Sequence, residues 1–258
     1  MKKEQKKSSG FPLALIGLVF LVVVIGGIWF YSSSRSGTPT NRAANTAASQ
    51  SPAVNTANAP AGAPLGVNML GNPTAAVTVE EFADYQCGGC AAVHPVMKEL
   101  QAAYAGNKNF KFVYRHYPLA IPGHDKSFDA SVATEAAGLQ GKFWQMQDQL
   151  FRNQQAWTQN PNFREIWAGY AESIGMDVNR WKSDMAGIAT KQRVEADMAR
   201  GRAMNLTSTP TVFVNGKPVP FPEMNIAALR RIVDAEIAQV AATQPAANNA
   251  APQTSNSK

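Results

Sequence analysis

Between residues 66 and 242 the chain alternates between two hydrophobic rhythms. Val77-Thr78-Val79-Glu80-Glu81-Phe82 and Phe110-Lys111-Phe112-Val113-Tyr114 are short runs rich in β-branched and aromatic residues, the composition of strands. Thr211-Val212-Phe213-Val214 is a third such run. It leads into Asn215-Gly216, a pair that favours a tight hairpin, and then Lys217-Pro218-Val219. From about Ser127 to Met204 the rhythm becomes helical and Ala-rich, with breaks at Gln159-Asn160-Pro161 and Gly175, and Asp177 suits the N-cap ahead of Val178 to Met185. Ile226, Leu229, Ile232, Val233, Ile237 and Val240 mark one face of a last helix, with Asn225 as its cap. Strands at both ends and helices between predict one α/β domain over residues 66–242, a mixed sheet flanked by helices.

The ends follow other rules. Phe11 to Phe30 is a run of twenty residues without a charge, and twenty helical residues span ~30 Å, one hydrocarbon core. This predicts a transmembrane anchor over 11–31, after a basic cytoplasmic segment, 1–10, that carries Lys2, Lys3, Lys6 and Lys7. Trp29, Phe30 and Tyr31 fall at interface level, and the positive-inside rule places the remainder on the extracytoplasmic side. A cleaved signal peptide ending near Ser32-Ser33-Ser34 is the competing reading, but its apolar stretch should run only ~7–15 residues and end in an Ala-x-Ala-like site. Residues 32–65 and 243–258 are Ala, Asn, Ser, Thr, Gly and Pro with almost no large apolar side chain, the composition of a disordered linker and a disordered tail.

The net charge of +6 suggests an anionic partner, yet the surplus sits at the ends: residues 1–65 hold six basic and one acidic side chain, whereas 66–245 balance. A nucleic-acid role therefore lacks an electrostatic source in the domain.

Cys87 and Cys90 are the chain's two cysteines, placed between the first predicted strand and a helix. That order sets Cys87 at a helix N-terminus, where peptide dipoles favour a thiolate. In an oxidising compartment such a pair also reads as a structural disulfide. Closing so short a loop, however, stabilises by only ~2 kcal/mol, so the spacing favours thiol–disulfide exchange over stapling.

Glu81-Phe82-Ala83-Asp84-Tyr85-Gln86-Cys87-Gly88-Gly89-Cys90 and Thr209-Pro210-Thr211-Val212-Phe213-Val214-Asn215-Gly216 together resemble the DsbA-like branch of the thioredoxin superfamily. Ile174-Gly175-Met176-Asp177 and Arg193-Val194-Glu195-Ala196-Asp197 fit as well, so the resemblance covers about residues 68–240. It implies a thioredoxin fold with a helical insertion. It implies Cys87 as nucleophile, Cys90 as resolving thiol, and no cofactor beyond the Cys87–Cys90 disulfide itself. A cis Thr209–Pro210 bond beside the cysteines would offer backbone hydrogen bonds to a bound peptide; an ordinary trans proline opening a strand is the plainer alternative. Clients would be exported cysteine-containing proteins, and a membrane quinone reductase of the DsbB type would reoxidise the pair.

Three further positions bear on the chemistry. Glu81 stands where the family carries a buried acid, and strand alternation puts it on one face with Val77 and Val79. Buried there, its raised pKa would suit a proton relay to Cys90; on a solvated edge it would do nothing. Gly88 and Gly89 leave the turn open, but supply no histidine between the cysteines to stabilise a thiolate as in strong oxidants. His94 follows Cys90 by four residues, on the same helical side, ahead of Pro95 in the same predicted helix. It is expected to modulate site charge. A metal site of Cys87, Cys90, His94 and His116 or His124 is conceivable, although no second ligand pair has metal-site spacing. The readings are thus a disulfide donor, a reductase or isomerase, and a membrane-tethered copper chaperone.

Overall fold

Five strands form one sheet in the computed structural model, which describes residues 59–243. In chain order the elements are β1 (Met69–Gly71), β2 (Val77–Ala83), α1 (Gly88–Ala103), β3 (Phe110–His116), α2 (Ser127–Gly138), α3 (Phe143–Arg152), α4 (Gln154–Thr158), α5 (Phe163–Ser173), α6 (Val178–Ala186), α7 (Ile188–Ala203), β4 (Thr211–Val214), β5 (Lys217–Val219) and α8 (Ile226–Thr243). The sheet order is β1-β3-β2-β4-β5, with β2 and β3 parallel and every other pairing antiparallel. This is a thioredoxin sheet with helices α2 to α7 inserted between β3 and β4.

Local chemistry explains the boundaries. Asp177 caps α6 by accepting from the Arg180 N–H at 3.0 Å, and Asn225 accepts from the Ala228 N–H at 3.0 Å at the start of α8. Asn215 and Gly216 take φ of 49° and 76°, the left-handed pair that a tight hairpin between β4 and β5 requires.

The two sheet faces differ. Val77, Val79, Phe110, Phe112, Tyr114, Val212 and Val214 join Met97 and Leu100 of α1 and Leu229 and Val233 of α8 in the main core. Phe82 and Phe213 point the other way, into a smaller cluster with Tyr117, Met204 and Leu206. On that second face Glu80 is also buried, because Arg115 and Arg200 pair with it at 2.7 and 2.8 Å. Burial alone would raise the Glu80 carboxyl's pKa; the two guanidinium groups outweigh it and hold it low.

The same arginines revise the linker. Residues 59–65, assigned to a disordered linker on composition, are pinned to the domain. Arg115 donates to the carbonyls of Ala61 and Ala63 at 2.9 and 2.7 Å, Arg200 to Pro60 at 2.9 Å and Arg193 to Pro64 at 3.2 Å. The Ala63 N–H in turn donates to Asp197 at 2.7 Å. The small side chains of this Ala-Pro-Gly stretch offer little apolar area to bury, but its carbonyls satisfy guanidinium groups already needed beside Glu80. The expected basic segment 1–10, anchor over 11–31, linker residues 32–58 and tail residues 244–258 lie outside the described residues. Thr243, expected at the start of the tail, is instead the last residue of α8, its hydroxyl bonded to the Gln239 and Val240 carbonyls. Among the described residues no helix is long and apolar enough to cross a membrane.

Candidate active site

The strand β2 ends at Ala83, and Asp84-Tyr85-Gln86 turn the chain into α1. Asp84 is fully buried and organises this turn: its carboxylate accepts from the N–H groups of Gln86 and Leu119, each at 2.7 Å, and from the Ser127 hydroxyl at 2.5 Å. His124 Nδ1 lies 2.7 Å from the same carboxylate. The Cys87 N–H donates to the Asp84 carbonyl at 3.1 Å, and Cys87 occupies the N-cap position of α1 in extended conformation. The sulfur therefore sits at the positive end of a sixteen-residue helix.

The two thiols, both free, differ in surroundings. Cys87 is half-buried, and its thiol donates to the Thr209 carbonyl at 3.3 Å. Cys90 is fully buried, and its sulfur accepts from the Asp84 N–H at 3.5 Å. A hydrogen bond from Cys90, aided by the N–H groups of Cys90 and Gly89, overcomes partial desolvation and brings Cys87 down to about 5. Burial, reinforced by the neighbouring Cys87 charge, pushes Cys90 well above an ordinary thiol. One thiol is thus ionised at neutral pH and its partner is not.

Thr209 and Pro210 close the site from the β4 side, and their peptide bond is cis. A Cβ added at Gly89 would lie 3.2 Å from Pro210 Cδ and 3.7 Å from Cys87 Sγ, whereas one at Gly88 would meet nothing within 4 Å. A side chain at the second glycine would therefore press on Pro210, and one at the first would not. The Thr209 hydroxyl is buried without a hydrogen-bond partner.

Glu81 is buried, 3% exposed, on the face that carries Val77 and Val79 and in register with Tyr114. With no cation to offset it, desolvation raises its carboxyl to about 8. Tyr114, whose hydroxyl is buried and unpartnered, feels the charges of both Glu81 and Cys90.

His94 is also buried, one turn beyond Cys90 on α1. Its Nε2 lies 3.0 Å from Asp148 on α3, and its ring packs against Phe151, tilted by 32° with centroids 4.8 Å apart. Burial lowers its pKa, partly offset by Asp148. It faces the inserted helices and contacts neither sulfur by hydrogen bond. The conceivable metal set is not assembled, since His94, His116 and His124 each engage a different carboxylate, Asp148, Glu135 and Asp84. A cluster of His116, Glu135 and Asp197 does exist among the described residues, but Arg115 and Arg193 occupy its carboxylates.

Two contributors escaped the sequence reading. Asp84 sat inside the quoted motif without an assigned role, and only the returning loop at Leu119 to Ser127 reveals its function as a hub. Gln154, in an amide-rich run that carries no motif, donates to the backbone on either side of Gln86.

The family model described as Thioredoxin (Thioredoxin_4) matches residues 66–235. This chain belongs to that family. The architecture is shared with oxidised BdbD from Bacillus subtilis, 24% identical with a TM-score of 0.58, over 70% of this chain and 98% of that one. It is similar to a thioredoxin-like oxidoreductase from Silicibacter pomeroyi, at 26% identity and TM-score 0.52 over 68% and 92% of the two chains. Wolbachia pipientis alpha-DsbA1 matches at 15% identity and TM-score 0.57 over 70% and 96%. The fold is accordingly the DsbA-like variant of the thioredoxin fold, with its helical insertion. Among curated sequences, the Na(+)/H(+) antiporter NhaA 1 of Mycolicibacterium gilvum is 36% identical over 152 residues, 58% of this chain but 23% of the antiporter. The chain spans about a quarter of the length of the curated relatives it matches.

Proposed function

We propose that this chain is an extracytoplasmic thiol–disulfide oxidoreductase that donates its Cys87–Cys90 disulfide to exported cysteine-containing proteins. The observation that carries the reading is the contrast between the two sulfurs. Cys87 is half-buried at the N-cap of α1 beside the Thr209 carbonyl, Cys90 is fully buried, and these surroundings set the first pKa low and the second high. A substrate thiolate attacks Cys87 Sγ of the disulfide and expels Cys90 as thiolate. Cys90, stable only as a thiol, takes a proton, and Glu81, buried and held protonated at neutral pH, relays one in this reading. A second substrate thiolate then attacks the substrate sulfur of the mixed disulfide and expels Cys87, whose low pKa makes it the better leaving group. Two substrate thiols become one disulfide and give up two protons; one ends on the Cys90 thiol, the other goes to solvent, and Cys87 is left as the thiolate.

Thr209 and Pro210 hold the substrate backbone beside Cys87 in this scheme. His94 acts from behind α1 through Asp148. A DsbB-like quinone reductase accepts the electrons, and the apolar segment 11–31 tethers the domain to the cytoplasmic membrane with Cys87 outside. The roles of Thr209, Pro210 and His94 are supported by their positions around α1 and β4, and the partner and tether by the family's chemistry and the apolar run in the sequence.

The test mixes the oxidised full chain with a reduced, unfolded protein of known disulfides. One pair of substrate thiols should disappear for each Cys87–Cys90 disulfide reduced, and Cys87→Ser and Cys90→Ser should each abolish the transfer. A reduction potential nearer about −120 mV than about −270 mV should accompany it. Transfer only from reduced enzyme to oxidised protein would reverse the direction to a reductase. No transfer either way would remove the function.

A further inference from the structure

We propose that Gln154 is a positioning residue for Cys87: its side-chain amide clamps the turn before α1 and supplies rigidity that the Gly88-Gly89 pair lacks. The inference rests on the reading of Cys87 as nucleophile and adds a residue from the insertion to it.

The geometry is specific. A single amide nitrogen donates both of its N–H groups, to the Tyr85 carbonyl at 2.8 Å and to the Cys87 carbonyl at 3.0 Å. These two carbonyls bracket Gln86, so the amide spans the connection from β2 to α1. The Cys87 carbonyl is also the first acceptor of α1, taking the Ala91 N–H at 3.1 Å. Fixing that oxygen fixes the peptide plane from which the first helical turn starts. The N–H groups of Gly89 and Cys90, which stabilise the Cys87 thiolate, belong to that turn.

The need for an external clamp follows from the sequence. Glycine loses more backbone freedom on ordering than any other residue. Two in succession between the cysteines leave the nucleophile on the least constrained stretch of the turn. A side chain at Gly89 would crowd Pro210 Cδ, 3.2 Å from an added Cβ, so stiffening the turn there displaces the proline. Gln154 itself is firmly based. It is the first residue of α4, which is anchored by the buried Trp157, whose Nε1 donates to the Leu150 carbonyl at 2.9 Å. The inserted helices thereby reach the active-site backbone through one side chain.

The experiment measures the pH dependence of Cys87 alkylation by iodoacetamide in the reduced full chain, with the labelled peptide identified by mass. Gln154→Leu keeps the size and removes both donors; Gln154→Ala, which admits water to the two carbonyls, gives the same readout should the leucine variant fail to fold. Loss of the clamp should raise the midpoint by about one pH unit, about a tenfold slower reaction at acidic pH. Adding Gly88→Ala, which meets no neighbour, should restore at least half of that shift by stiffening the same turn. Substitution of the exposed neighbour, Gln155→Ala, should leave the midpoint unchanged. A low wild-type midpoint that Gln154→Leu does not move, or a shift that Gly88→Ala fails to reverse, overturns the positioning role alone. A wild-type midpoint at that of an ordinary thiol overturns the nucleophile reading and this inference with it.

Discussion

Replacing Glu81 by glutamine should make this protein more stable, and increasingly so as pH rises. Glu81 is 3% exposed and has no cation beside it, and desolvation raises its carboxyl from 4.5 to about 8. Below pH 4.5 the folded and unfolded chains both carry the proton, so the group contributes nothing to pH dependence. Between 4.5 and about 8 the unfolded chain releases it while the folded chain keeps it, and stability falls with pH. At about 1.4 kcal/mol per pH unit the loss reaches roughly 3 kcal/mol by pH 7 and roughly 5 kcal/mol above pH 8, as a ceiling. Glutamine has the neutral acid's shape and no proton to lose. Urea unfolding of both proteins, reduced, between pH 5 and pH 8 should show a gap that opens toward alkaline pH. Cys90, Tyr85 and Tyr114, the other ionisable groups on this face, are all raised by burial and are common to both proteins, so they cancel in the difference. A gap that stays constant over the range refutes the buried-acid assignment. If Glu81 also relays protons to Cys90, the more stable variant should be the slower exchanger, a stability–function trade-off.

Other substitutions probe the remaining supports. Gly89→Ala puts a Cβ 3.2 Å from Pro210 Cδ and should slow mixed-disulfide formation about tenfold in stopped-flow assays, whereas Gly88→Ala, which meets nothing within 4 Å, should stay within about twofold. Arg115→Met leaves Asp197 buried without its guanidinium partner and should cost about 3–5 kcal/mol in urea unfolding. The same change frees the carbonyls of Ala61 and Ala63, so limited proteolysis should begin to cut at residues 59–65. His94, neutral in the fold because burial lowers its pKa, binds a proton more readily when unfolded. Stability should therefore drop as pH falls through the ordinary histidine range, and thermal melts of His94→Gln should show a smaller drop.

The parts of the fold visible in the sequence were those set by local chemistry. The alternating runs at Val77 and Phe110, the Asn215-Gly216 turn, and the Asp177 and Asn225 caps each specify their own element within a few residues. Glu81's burial was also readable, since period-two alternation tied it to Val77 and Val79. Its neighbour Glu80 was not: the opposite sheet face is covered too, and that depends on Arg115 and Arg200, far along the chain. The ordering of residues 59–65 has the same origin, for nothing in an Ala-Pro-Gly stretch reveals that three distant arginines need its carbonyls. β1 escaped because three residues, Met69–Gly71, make too short a pattern to stand out. At the site, Cys87, Cys90, Thr209 and Pro210 announce themselves through spacing and motif. Asp84 and Gln154 do not, because each acts through backbone groups that only the folded turn presents.

The account depends most on the contrast between the two sulfurs. A titration of thiolate absorbance in the reduced chain, paired with mass mapping of the cysteine alkylated by limiting reagent near pH 6, tests it directly. It predicts a first thiolate that appears with a midpoint of about 5 and label confined to Cys87. A first midpoint near that of an unperturbed thiol, or equal labelling of Cys87 and Cys90, would contradict it.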